Sequence, residues 1–125
     1  MTQYTQSFKA LLLAAALALP GMAFAAEPAM VNDGILVDHK GMTLYTYDKD
    51  SGDKSMCNGG CADNWPPLKA EAGAKAEGDW TIVTRDDGVK QWAYNGKPVY
   101  LFKNDKKAGD KTGDKKGDVW HVIPE

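Results

Sequence analysis

The chain has little of what catalytic and metal sites are usually built from. Its 125 residues hold two cysteines and two histidines, and beyond the first fifty only Ser51 and Ser55 offer a serine hydroxyl. A nucleophilic triad needs a histidine beside a serine or cysteine, and this supply points away from hydrolase chemistry. No C-x-x-C-H stretch is present, so covalent haem attachment is not expected. No block of one charge sign runs along the sequence: residues 26–125 carry 14 basic and 17 acidic side chains, net −3, interleaved throughout. Nucleic acid is therefore not an expected partner, nor is an anionic membrane surface. Aspartates cluster at Asp48, Asp50 and Asp53, and at Asp105, Asp110, Asp114 and Asp118. An EF-hand loop starting at Asp48 needs a Glu at its twelfth position and finds Gly59. The second cluster is crowded by Lys106, Lys107, Lys111, Lys115 and Lys116, which repel a cation. We expect no cofactor, no metal and no enzymatic activity.

The longest apolar run is Ala10 to Pro20, 11 residues, too short to span a bilayer. Lys9 precedes it and Ala23-Phe24-Ala25 follows with small residues at the cleavage positions. That is the layout of a secretory signal peptide cleaved after Ala25. No cysteine follows the run in this segment, so a bacterial lipid anchor is not expected. The mature chain, 26–125, then has no transmembrane segment and is long enough for one small domain, periplasmic or secreted.

What the chain does have is aromatic residues arranged twice. Leu44-Tyr45-Thr46-Tyr47-Asp48-Lys49-Asp50 returns 55 positions later as Val99-Tyr100-Leu101-Phe102-Lys103-Asn104-Asp105. The same offset relates Gly41 to Gly96, Asp63 to Asp118, Trp65 to Trp120 and Leu68 to Ile123. Cys57 and Cys61 match Thr112 and Lys116, so any bridge between them belongs to one copy. We read an internal duplication: repeat one about 34–68, a linker 69–79 rich in Ala, Lys, Glu and Gly, and repeat two about 80–124. Two copies in so small a domain bury their apolar faces on each other, with pseudo-two-fold symmetry.

Each copy reads as a hairpin followed by a strand. Ile35–Asp38 and Thr43–Tyr47 flank a His39–Met42 turn with Lys40-Gly41 at its tip, which sets Val37 opposite Leu44 and Leu36 opposite Tyr45. Trp80–Thr84 and Lys90–Tyr94 are strands, and Asn95-Gly96 is the strongest hairpin signal, setting Trp92 opposite Val99 and Gln91 opposite Tyr100. Glu27–Asn32 reads as a disordered or extended leader. Trp65-Pro66-Pro67-Leu68 reads as an extended edge segment, because proline cannot donate to a central ladder. The fold class is mainly β, with little helix outside the signal peptide.

This pattern resembles a family of bacterial secreted proteins and predicted lipoproteins named for a Y-x-[FWY]-x-x-D motif, the secreted repeat of unknown function. The resemblance spans about 34–124 and includes both motif copies, Cys57-Asn58-Gly59-Gly60-Cys61, Asn64-Trp65-Pro66-Pro67, Arg85-Asp86-Asp87-Gly88 and Gln91 to Pro98. It implies an extracytoplasmic repeat module and brings no catalytic residues with it.

The motif residues Tyr45, Tyr47 and Asp50, with Tyr100, Phe102 and Asp105, are best read as structural: two rings on one strand face and a carboxylate capping the turn. Trp65, Trp92 and Trp120 are expected to form the repeat core. The functional expectation is a binding or envelope-interaction module for a small ligand or envelope protein, with an aromatic-walled cleft between the copies. The competing expectation is a periplasmic copper or thiol-redox protein using Cys57 and Cys61, with His39, His121, Met42 and Met56 as further soft ligands. In an exported protein the closely spaced pair Cys57 and Cys61 is most simply a disulfide. Cys57→Ser is expected to lower stability by about 1–3 kcal/mol without changing the fold; a thermal midpoint that does not move on reduction would contradict the staple.

Overall fold

The computed structural model describes residues 27–125, and the expected signal peptide, 1–25, lies outside them. The described residues form one small mainly β domain. In chain order the elements are β1 (Met30–Asn32), β2 (Ile35–Val37), β3 (Tyr45–Tyr47), a short helix α1 (Gly60–Asn64), β4 (Trp80–Thr84), β5 (Lys90–Tyr94), β6 (Lys97–Pro98), a 3-10 turn (Lys116–Asp118) and β7 (Trp120–Val122).

Two tight turns have both central residues at positive φ, which matches the right-handed strand twist. Asn95 and Gly96 (φ 52° and 82°) join β5 to β6 in the expected register, and Asp33 and Gly34 (φ 53° and 82°) join β1 to β2. The segment before Asp33, read as a disordered or extended leader, is thus a paired strand, with Val31 opposite Leu36.

The turn after β2 is where the expected register fails. Asp38 Oδ1 accepts both the Lys40 and the Met42 N–H at 2.9 Å, and the Asp38 N–H bonds to the Met42 carbonyl at 2.8 Å. This self-capped loop spans 38–42, so Val37 bridges Thr43 rather than Leu44. The loop is one residue longer than its counterpart, since Ala93 opposes Pro98. The 55 offset therefore holds only from Gly41 onward, and Val37 corresponds to Ala93.

Each copy's last segment leaves its own hairpin and completes the other's. Tyr45 pairs with Val122 and Tyr47 with Trp120, while the Leu36 N–H bonds to the Ile123 carbonyl at 2.9 Å. Reciprocally, Pro67 bridges Tyr100, and Leu68 donates to Val99 and accepts from Trp92, both at 2.9 Å. The Trp65–Leu68 segment is thus wedged between backbones rather than at an edge. The prolines tolerate this because the Pro66 carbonyl needs only to accept, from Leu101 N–H at 2.7 Å. The wedge also separates Gln91 from Tyr100, which had been expected to pair; Gln91 bridges Lys69 instead.

Apolar side chains gather in two clusters. One holds Leu36, Leu44, Trp80, Trp92, Val99 and Ile123, and the other Tyr45, Cys57, Trp65, Tyr100, Phe102 and Trp120. The structure places Trp92 in the first cluster, apart from Trp65 and Trp120. Because the closing strands are exchanged, neither copy buries its core alone. A fragment covering 75–125 is expected to lack fixed tertiary structure by near-ultraviolet circular dichroism, and mixing it with 27–74 is expected to restore the native spectrum; a cooperatively folded single fragment would contradict the exchange.

Candidate functional site

The pseudo-two-fold axis runs through the motif tyrosines. Tyr45 and Tyr100 exchange both backbone hydrogen bonds at 2.9 Å. Beside them four rings stack in the order Phe102, Trp65, Trp120, Tyr47, with centroids 4.1, 3.7 and 4.1 Å apart. The edge of Tyr45 meets Trp65 at 5.4 Å and that of Tyr100 meets Trp120 at 5.2 Å, the edge-to-face geometry that ring quadrupoles favour.

The two hydroxyls cross the axis. Tyr45 donates to Asp105 Oδ2 at 2.7 Å, and Tyr100 to Asp50 Oδ2 at 2.8 Å. The other oxygen of each carboxylate caps its own loop: Asp50 Oδ1 accepts the Met56 N–H at 2.7 Å, and Asp105 Oδ1 the Thr112 N–H at 2.9 Å. Each copy's tyrosine thereby fastens the loop of the other, so the motif Tyr, aromatic and Asp are brought together as a latch. Burial pushes both phenols above their ordinary range.

On the Asp50 side the latch opens into a buried polar network that the other side lacks. Tyr100 gives its proton to Asp50, so Ser55 is the donor in the 2.6 Å bond to the Tyr100 oxygen. Ser55 Oγ and Gln91 Oε1 each accept from Arg85 Nη1 at 3.0 Å, and the Cys57 carbonyl accepts from Nη2 at 2.7 Å. Arg85 is 3% exposed, and the carboxylate it contacts, Asp87, is half exposed at 3.3 Å. Gln91 passes the chain on to the Val99 carbonyl at 2.8 Å. Sequence reasoning noted Arg85 only within the Arg85-Asp86-Asp87-Gly88 segment of the family resemblance and gave it no role. The available signal was that it is the sole arginine beside 14 lysines, and a planar fork of five donors suits a buried site with several acceptors.

The cysteines form a disulfide, with Cys57 fully buried against the aromatic stack and Cys61 partly covered. The residues of the copper expectation do not converge. His39 Nε2 bonds to the Glu27 carbonyl at 2.7 Å, His121 Nε2 to Asp48 at 2.8 Å, and Met56 is 49% exposed. Among the described residues no three His, Cys, Asp or Glu side chains gather to hold a metal ion. The loop aspartates cap turns: Asp110 Oδ2 accepts the Lys106 and Lys107 N–H groups, and Asp114 Oδ1 that of Val122.

The stack fills the axis between the copies where a cleft had been expected. A groove of about 650 Å³ lies to one side, between the Asp38–Lys40 turn and the 68–75 segment, with Trp92 and Leu68 among its walls.

A family model described as a secreted repeat of unknown function matches residues 29–69 and 81–123. The chain belongs to that secreted-repeat family. The first match begins one residue before β1, so the β1–β2 hairpin is part of the repeat. No curated protein and no solved structure matches the chain. The two matches coincide with the two halves that the latches fasten together, which makes the secreted repeat a unit that folds in pairs here.

Burial raises the Asp50 carboxyl above the ordinary aspartate range, while the Val89 N–H holds Asp87 below it and the Lys106 N–H holds Asp110 below it. Asp50 therefore favours folding at pH below its native pKa, and that contribution is lost as pH rises through it. Asp87 and Asp110 act in the opposite sense: their contribution is present above the ordinary range and lost as pH falls through their depressed values. Carbon-13 titration of the side-chain carboxyls is expected to rank Asp50 above both; an inverted order would contradict the network.

Proposed function

We propose that this secreted repeat is a periplasmic or extracellular binding module, without catalytic activity, whose ligand is a small molecule with a flat apolar face and an anionic group. The observation that carries this reading is the groove of about 650 Å³ beside the first hairpin. Its walls combine Trp92 and Leu68 with Lys40, Lys69 and Lys75, against Asp38 and Glu71 as the acidic members. Asp38 spends one carboxylate oxygen on its own turn, so cationic donors outnumber the free acidic ones. An indole beside a small set of charged groups is a common composition for a small-ligand site.

The rest of the molecule supports a rigid frame for such a groove. Trp92 packs in the first core with Trp80 at 6.1 Å, so the wall it forms is fixed before any ligand arrives. The Glu71–Ala74 turn on the opposite wall is closed by one backbone bond of 2.9 Å.

The rival reading, copper or thiol-redox chemistry at Cys57 and Cys61, is disfavoured by the setting of the pair. Cys57 has no exposed surface, and its carbonyl is held by Arg85. A structural staple accounts for both observations.

Native mass spectrometry of protein purified from the periplasm is expected to find a retained anionic small molecule, and Lys69→Glu with Lys75→Glu to lower its occupancy about tenfold. An apo mass with no added species, or an unchanged occupancy in the double variant, would overturn the groove reading. Anaerobic copper titration of the reduced protein tests the rival, and stoichiometric copper would replace the binding module with it.

A further inference from the structure

The two copies differ at the turns that hold Gly41 and Gly96. In one half that turn is covered by the chain itself: the loop 106–110 lies on Gly41, whose carbonyl accepts the Gly109 N–H at 3.3 Å. Thr43 Oγ1 adds a bond to the Asp110 carbonyl at 2.6 Å. The fit is close, since a methyl placed on Gly41 would come within 2.8 Å of the Ala108 Cβ.

Gly96 is the counterpart of Gly41 by the 55 offset, and its half is open. A methyl on Gly96 meets nothing within 4 Å, and its carbonyl has no backbone partner among the described residues. A groove of about 420 Å³ occupies the place that the loop fills in the other half, bounded by Asp48, Asp50, Asp53 and Gly52 on one wall and Asn95 to Pro98 on the other. The loop that would have covered it turns away, with Lys54 paired to Asp86 instead. Asp48 bonds to His121 and Asp50 to Tyr100, which leaves Asp53 facing the groove with Lys97 as the only cation in its walls.

We propose that this groove is a docking surface for a lysine-rich, glycine-containing turn of a partner protein, standing where the chain's own 106–110 loop stands in the other half. The filled half specifies the shape of the occupant: a small residue over the glycine and a following N–H aimed at the glycine carbonyl. That loop reads Lys106-Lys107-Ala108-Gly109-Asp110. Its lysines suit Asp53, the wall aspartate that makes no side-chain hydrogen bond among the described residues, because opposite charges across a contact steer and orient the encounter. The inference is independent of the small-molecule groove, which lies beside the first hairpin.

A cyclised peptide Lys-Lys-Ala-Gly-Asp-Lys added to the isotope-labelled mature chain tests it by amide shifts. The expected result is saturable shifts confined to 46–53 and 95–98, weakened about fivefold by Asp53→Lys and by 0.5 M salt. A folded, disulfide-bonded Asp53→Lys variant is verified first by its unchanged shifts in the 38–45 and 120–123 regions. No shift up to millimolar peptide would overturn the proposal, as would shifts at 38–40 and 68–75 or equal binding of a Glu-for-Lys peptide. Concentration-dependent dimerisation through the same residues without peptide would assign the groove to a second copy of this chain and likewise overturn the partner reading.

Discussion

Two indoles face each other across the axis, Trp65 against Trp120 with centroids 3.7 Å apart and planes 3° from parallel. The placement of most other groups follows from this contact. The stack extends by one ring at each end, and each added ring comes from the opposite copy. Its flanks are closed by the edges of Tyr45 and Tyr100, which fixes where the two hydroxyls emerge. They emerge beside the opposite copy's loop, where Asp105 and Asp50 receive them. Aromatic pairs of this kind contribute about 0.5–1.5 kcal/mol each beyond the area they bury. Several share each ring here, so removing one indole unseats a tyrosine, a carboxylate and a loop cap together. Gly113 belongs to the same constraint: a Cβ there would approach the Trp65 ring to 2.7 Å, so only glycine lets that loop lie on the stack.

A symmetric frame of this sort leaves function to the places where symmetry fails. Arg85, Ser55 and Gln91 form a buried polar chain on one side only, and the Cys57–Cys61 bridge is on that same side. A buried guanidinium with several neutral acceptors and one half-exposed carboxylate is held by hydrogen bonds more than by charge pairing. The network holds Ser55 and the Cys57 carbonyl, Lys54 beside them pairs with Asp86, and the turn at Asn95 and Gly96 borders an open groove. The first hairpin differs from the second by one residue and by the Asp38 cap, and it carries the larger groove. Both open surfaces thus trace to small departures from duplication.

Much of the frame could be read from residues alone, because duplication, alternation and turn chemistry are local. Asn95-Gly96 set its register correctly, and the spacing of Tyr45 and Tyr47 placed both rings on one face. Asp33-Gly34 carried the same turn signal as Asn95-Gly96, yet Glu27–Asn32 before it was read as a disordered or extended leader, and β1 was missed. The register of the first hairpin failed because a side chain, Asp38, lengthened the loop, an effect that backbone pairing rules do not contain. The strand exchange was hidden for another reason. A single copy's pattern of apolar residues is the same whether its last strand returns to its own hairpin or crosses to the other. Arg85 was hidden because burial of a charge depends on acceptors contributed from positions 55, 57 and 91, far apart in sequence.

The carboxyl end of the described chain meets the start of β2. Pro124 bridges Ile35, and the Glu125 N–H bonds to the Gly34 carbonyl at 2.9 Å. With the closing strands exchanged, the backbone returns at its carboxyl end to the hairpin it started from. Along the chain from its amino end, the β1–β2 pairing and then the Ile35–Pro124 bridge stand before the aromatic stack, so a pull on that end loads these edge contacts first.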